Sequence, residues 1–223
     1  MAKQQSSLEK MGLEKSVLTG AALSELIIRI LCDVQPVYPS DGAYLYCQTE
    51  SNQLSLFQTA LSLLSNSHKT KIFILQAGPK NGYPGFQKWQ HELHKMRLPI
   101  ESVDGIKIDE AVPLNTLTES EALISFAKLK GYRSLFVVAP PFHQLRAFMT
   151  AITVVLREYP ALKLYSHPAF TMPWQEEAVH SQGTLKATRS ELIHMELERI
   201  NMYQKKGDLA SFDEILTYLN NRR

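Results

Sequence analysis

Residues 135–149 read LFVVAPPFHQLRAFM, and the fold is decided there. An apolar run from Leu135 to Ala139 stops at Pro140-Pro141, and a helix-like segment opens with His143 and Arg146 in its first turns. In an open α/β fold this is a strand delivering its C-terminal end into a helix N-terminus, where ligands sit. Three positions apart, the two cation-capable side chains share one helical face. The same residues also suit a plainer reading, in which prolines punctuate a strand end and His and Arg decorate a surface helix.

Outward from this stretch the chain alternates. AYLYC (43–47) is a candidate first strand and KIFIL (71–75) a second. Residues 102–108 form a third, bent at Gly105; residues 134–139 a fourth; ALKLYS (161–166) a fifth. Helical patterns fill 54–64, 86–96, 116–130 and 142–159 between them. Strand–helix alternation predicts an α/β fold with a doubly wound, mainly parallel sheet of about five strands. The near-continuous apolar strands fit burial on both faces.

The pattern changes after Pro168. Residues 185–203 read as one long helix ended by Gly207, with Lys205 and Lys206 near its negative pole. Ser211 and Glu214 form a capping-box pair opening a last helix. This C-terminal helical hairpin needs an apolar surface, either its own domain or, as the alternative, a second copy of the chain. Near the other end, Leu23, Leu26, Ile27, Ile30 and Leu31 share one face of an amphipathic helix. The expected organisation is a flexible N-terminus (1–17), an α/β domain (18–168) and a helical extension (169–223).

A chain of 223 residues with 44% hydrophobic content can bury a substantial core. Its net charge of +2, with both signs interspersed, argues against nucleic acid as a partner. No apolar run approaches the roughly 20 residues of a membrane span, and no signal-peptide pattern is present, so a cytoplasmic location is expected. Cys32 and Cys47 make no disulfide framework or zinc spacing and are expected to be small buried hydrophobes.

In a doubly wound sheet all strand C-termini face one rim. That rim collects Gln48, Thr49 and Glu50, then QAGPKNGYPGF (76–86) with Gly78 and Lys80, then Asn115, Thr116 and Glu119, then His143 and Arg146, then His167. The glycine-rich loop is neither G-x-G-x-x-G nor a Walker A motif; its glycines either let backbone N–H groups approach an anion or simply make turns. Thr116 and Glu119 have capping-box spacing, which leaves Asn115 to face a ligand. His91 and His94 lack a third ligand, so no metal is expected.

The segment VAPPFHQLRA (138–147) is similar to the strand-to-helix motif of the YdcF-like family, a domain of unknown function that includes SanA- and ElyC-related envelope proteins. The match falls on His143, Arg146 and Ala147, with Leu98-Pro99 at the family's Val-Pro turn, Asn115-Thr116 at its Asn-Thr and Asp41 before the first strand. The resemblance covers about residues 41–168. Gln76-Ala77-Gly78 replaces the usual Ser-Gly-Gly, Leu56 falls near a missing Arg, and Gly85 stands where a Glu belongs. Glu119 is one residue out of register.

The resemblance implies a Rossmann-like domain, S-adenosylmethionine binding in some members and envelope-precursor metabolism in others. The expected function is binding of an anionic small molecule, S-adenosylmethionine or nucleotide-like. Gly78, Lys80, Asn115, Thr116, Glu119, His143 and Arg146 would line the site, and a protonated His143 would add to the charge of Arg146. The alternative is a phosphoester hydrolase or phosphoryl-transfer enzyme with His143 as general acid or base and Arg146 stabilising developing charge.

Overall fold

The computed structural model describes residues 20–36, 39–65 and 71–222, and the expected flexible terminus at 1–17 lies outside them. Five strands, β1 (Gly42–Leu45), β2 (Lys71–Gln76), β3 (Val103–Lys107), β4 (Ser134–Val138) and β5 (Lys163–Ser166), pair in the order β3-β2-β1-β4-β5. Every neighbouring pair in this sheet is parallel. This is the doubly wound, Rossmann-like arrangement, and its strand order reverses between β1 and β4.

Both faces of the sheet are covered. Ala43, Leu45, Phe136 and Val138 point into one apolar cluster with Leu56, Phe57 and Ala60 of α2 (Glu50–Ser65) and Trp89 and Leu93 of α3 (Phe86–Lys95). Tyr44, Tyr46, Leu135 and Val137 point the other way, toward Leu123 and Ile124 of α4 (Thr116–Lys130) and Phe148 and Ile152 of α5 (Pro141–Glu158). The period of two along each strand thus sends alternate side chains into two cores. Asp41 ties β1 to β4 at their starts, its carboxylate accepting from the backbone N–H groups of Arg133 (2.6 Å) and Ser134 (2.9 Å).

Helix α1, at 20–31, buries Leu26 and Ile30 in the second core, with Leu23 and Ile27 packed beside them. Leu31, expected on that face, is 36% exposed, and Cys32 is exposed as well. The buried stripe ends at Ile30, one residue before the apolar run does.

The C-terminal extension differs from the sequence expectation. Residues 185–188 are not the start of a long helix but strand β7 (Leu185–Thr188), paired antiparallel with β6 (Glu177–His180). A single turn, α6 (Ser181–Thr184), joins the two strands. Thr188 then caps α7 (Arg189–Lys206), accepting from Glu191 N–H while the Glu191 carboxylate returns to the Thr188 N–H. That cap fixes the true helix start, and helical periodicity alone cannot reveal a cross-strand partner. Gly207 ends α7 in the left-handed region, φ 77°, and the Ser211–Glu214 capping box opens α8 (Phe212–Asn221).

The hairpin packs on its own chain. Ile200, Leu209, Phe212 and Ile215 join the α5 side of the core, and the Tyr218 hydroxyl donates to Leu162 O (2.9 Å) while accepting from Leu164 N–H (2.6 Å). A buried Arg222–Asp33 pair at 2.5 Å ties the end of α8 to the segment after α1. No helix among the described residues is long and apolar enough to cross a membrane.

Candidate functional site

The C-terminal ends of β1 and β4 diverge at the strand-order reversal, and a cavity of about 460 Å³ opens there. Gln48 and Thr49 reach it from the end of β1, Asn115, Thr116 and Glu119 from the start of α4, and His143 and Arg146 from the start of α5. Three helices begin at this rim because each follows a parallel strand. Residues more than ninety positions apart therefore share one wall: the Gln48 amide lies 3.1 Å from His143 Nδ1.

His143 is buried, with Nε2 3.1 Å from an Arg146 guanidinium nitrogen and 3.5 Å from Thr116 Oγ1. The atoms facing the two ring nitrogens, an Arg146 guanidinium nitrogen and the Gln48 amide Nε2, are both donors, an environment that disfavours a doubly protonated imidazolium. Burial and the neighbouring Arg146 push its pKa well below the ordinary imidazole value. The expectation of a protonated His143 is therefore corrected: the ring is neutral near pH 7, because both ring nitrogens are engaged inside the protein.

Arg146 is held as firmly. Its Nε and one terminal nitrogen donate to Glu196 of α7 at 2.5 and 3.1 Å, and the other terminal nitrogen donates to Thr116 Oγ1 at 2.9 Å. Glu196 also accepts from His180 of β6 (2.7 Å) and Arg199 (2.8 Å). Burial opposes ionisation of Glu196, but the Arg146 charge and the hydrogen bond from His180 outweigh it and hold the carboxyl well below the usual range. Arg146, Arg199 and His180 all line the cavity, joined at its rim by Asp208.

Glu119 departs from its expected role. The cap of α4 is Asn115, whose side chain accepts from the N–H groups of Leu117 and Thr118, with Thr118 closing the box. Asn caps as well as Thr does, and choosing Asn115 turns Glu119 inward by one position. The Glu119 Oε1 accepts from the Tyr44 hydroxyl (2.8 Å) and the Cys47 backbone N–H (2.6 Å). Burial raises its pKa to about 7, against the lowering effect of the Cys47 N–H, Tyr44 and Arg146.

Gly78 and Lys80 do not join this cavity. They line a separate hollow of about 180 Å³ with Asp109 and Glu110, and Lys80 Nζ donates to the carbonyls of Glu110 and Val112, both at 2.9 Å. Their loop serves the cavity indirectly. Gly82 has φ 80°, and a Cβ there would meet Gly183 Cα at 3.0 Å, so glycine allows the loop to pack on the tip of the β6–β7 hairpin. Asn81 and Tyr83 of this loop are the residues that reach the cavity.

The hairpin itself is pinned to α2. Val179 O accepts from Thr49 Oγ1 (2.6 Å) and Asn52 Nδ2 (3.1 Å), and Arg189 donates to Asn52 Oδ1 and Ser51 O. Sequence reasoning missed His180, Glu196 and Arg199 because all three come from the extension. One signal was present: Leu192, Glu196 and Ile200 fall on a single buried stripe of α7, which puts a carboxylate where an apolar residue belongs. His91 and His94 are exposed on α3, and no group of three metal-ligating side chains occurs among the described residues.

A scan against family models and a search of curated proteins find no match for this chain.

Proposed function

We propose that this chain is a YdcF-like protein that binds, in the switch-point cavity, a small molecule through an anionic carboxylate or phosphate group, the ligand being S-adenosylmethionine or nucleotide-like. The observation that carries the reading is Arg146: a buried guanidinium fixed on three sides and placed on the cavity wall. Arg199 lines the same cavity, while the carboxylate the two arginines share is not among the lining residues. The inner wall thus carries two guanidinium groups against the buried Glu196. The cavity volume lies within the roughly 300–1,000 Å³ of small-molecule sites. The convergence of Asn115-Thr116 with His143 and Arg146 supports the family resemblance, since the two motif segments come from different helices and meet here.

Calorimetric titration with S-adenosylmethionine, AMP and ATP tests the reading. Arg146→Ala, checked for folding by circular dichroism, should weaken the ligand that binds by about 1.5–3 kcal/mol, the scale of a charge-assisted hydrogen bond. Binding that survives this substitution unchanged, or no binding by any of the three, overturns it.

A further inference from the structure

Glu119 presents its two carboxyl oxygens to different surroundings. Oε1 already accepts from the Tyr44 hydroxyl and the Cys47 N–H. Neither of these donors reaches Oε2, which is not one of the sealed, unpartnered atoms of the interior; Glu119 lines the cavity, and the Cys47 thiol hydrogen-bonds to the same carboxyl. The residue as a whole is only 4% exposed. With Oε1 occupied by two donors, a proton on this carboxyl sits on Oε2, on a side chain that lines the same cavity as Arg146.

We propose that Glu119 is a protonated anion-binding group, whose Oε2–H donates to one oxygen of an oxyanion while Arg146 holds another, so that binding takes up a proton. This rests on the anion-binding reading above and narrows the ligand class to an oxyanion with at least two acceptor oxygens, such as a phosphate ester. An ionised Glu119 in the same cavity would repel that anion. The charges around the carboxyl leave it free to act in this way. Tyr44, Tyr46 and the Cys47 thiol from the β1 side, and Tyr83 from the loop after β2, are all pushed upward by burial and stay protonated near neutrality. From α5, Arg146 faces it as a permanent cation and His143 is neutral.

Sulfate is the probe, because its charge does not change between pH 6.0 and 8.5. Calorimetric titration of the full chain across that range, in two buffers of different ionisation enthalpy, reads both affinity and protons exchanged. The expected result is a Kd that rises by up to about tenfold per pH unit above pH 7, with uptake approaching one proton per sulfate. Glu119→Gln offers an N–H in place of the O–H and should bind sulfate with no pH dependence and no proton uptake. A pH-independent wild-type Kd, or a Glu119→Gln variant that keeps the slope, overturns the role of Glu119 while leaving the anion site standing. No sulfate binding at any pH overturns the anion-binding reading itself. Should the variant fail to fold, the wild-type slope and proton count decide the matter alone.

Discussion

Glu196→Gln removes one charge from a buried cluster and should cost more than an ordinary substitution. The Glu196 carboxylate is 2% exposed and accepts from Arg146 at 2.5 and 3.1 Å, His180 at 2.7 Å and Arg199 at 2.8 Å. An amide keeps the shape but leaves the Arg146 guanidinium buried without a counter-charge, and its N–H₂ must face another donor. Breaking a buried pair from one side costs about 3–5 kcal/mol. In a chain of this size each kcal/mol moves Tm by roughly 2–4 °C, so the variant should melt about 6–20 °C below wild type at pH 7. Thermal melts followed by circular dichroism measure this directly. The cost should also shrink in acid. Glu196 is held below its usual pKa, so its contribution is present above the unfolded value and is lost as pH falls through the folded one. A double variant with Arg146→Ala should lose less stability than the two single losses combined, since each removes the other's partner. A Glu196→Gln variant within about 1 kcal/mol of wild type at pH 7 would refute the view that this carboxylate holds the cluster together.

Two further outcomes follow from the start of α4. Glu119→Gln should become progressively more stable relative to wild type as pH rises from 5 to 8, by a change on the order of 2–3 kcal/mol. The sign follows from a folded pKa of about 7, above the unfolded value: the favourable protonation is present in acid and lost as pH rises, which urea titrations at the two pH values measure. Asn115→Ala should cost about 1 kcal/mol by urea denaturation through the lost helix cap, whereas the Thr116–Glu119 spacing would have placed that cost on Thr116.

The sheet was legible because its signals are local. Runs such as LFVV and KIFIL, each followed by turn residues and a helical pattern, leave a parallel sheet as the simple solution. Helix α4 spans the expected residues, and Gly207 and the Ser211–Glu214 pair mark their helix ends as expected. Local signals also misled. Thr116 and Glu119 have the right spacing for a cap, but Asn115 one position earlier competes for the same N–H groups and takes them. At 185–188 the helical period continues into residues that pair instead with 177–180, because a strand partner is a long-range fact.

By itself the sequence determined the layered α/β architecture, the strand that ends before His143, and the convergence of α4 and α5 at one rim, because these depend on residue order and hydrophobic period. Only the tertiary structure decided the electrostatics of that rim. His180, Glu196 and Arg199 arrive from the C-terminal extension: Glu196 neutralises part of the Arg146 charge, His180 and Arg199 help hold His143 unprotonated, and burial keeps Glu119 poised near neutrality. Charge and protonation depend on distance and on exclusion of water, and neither is written in the spacing of residues along a chain.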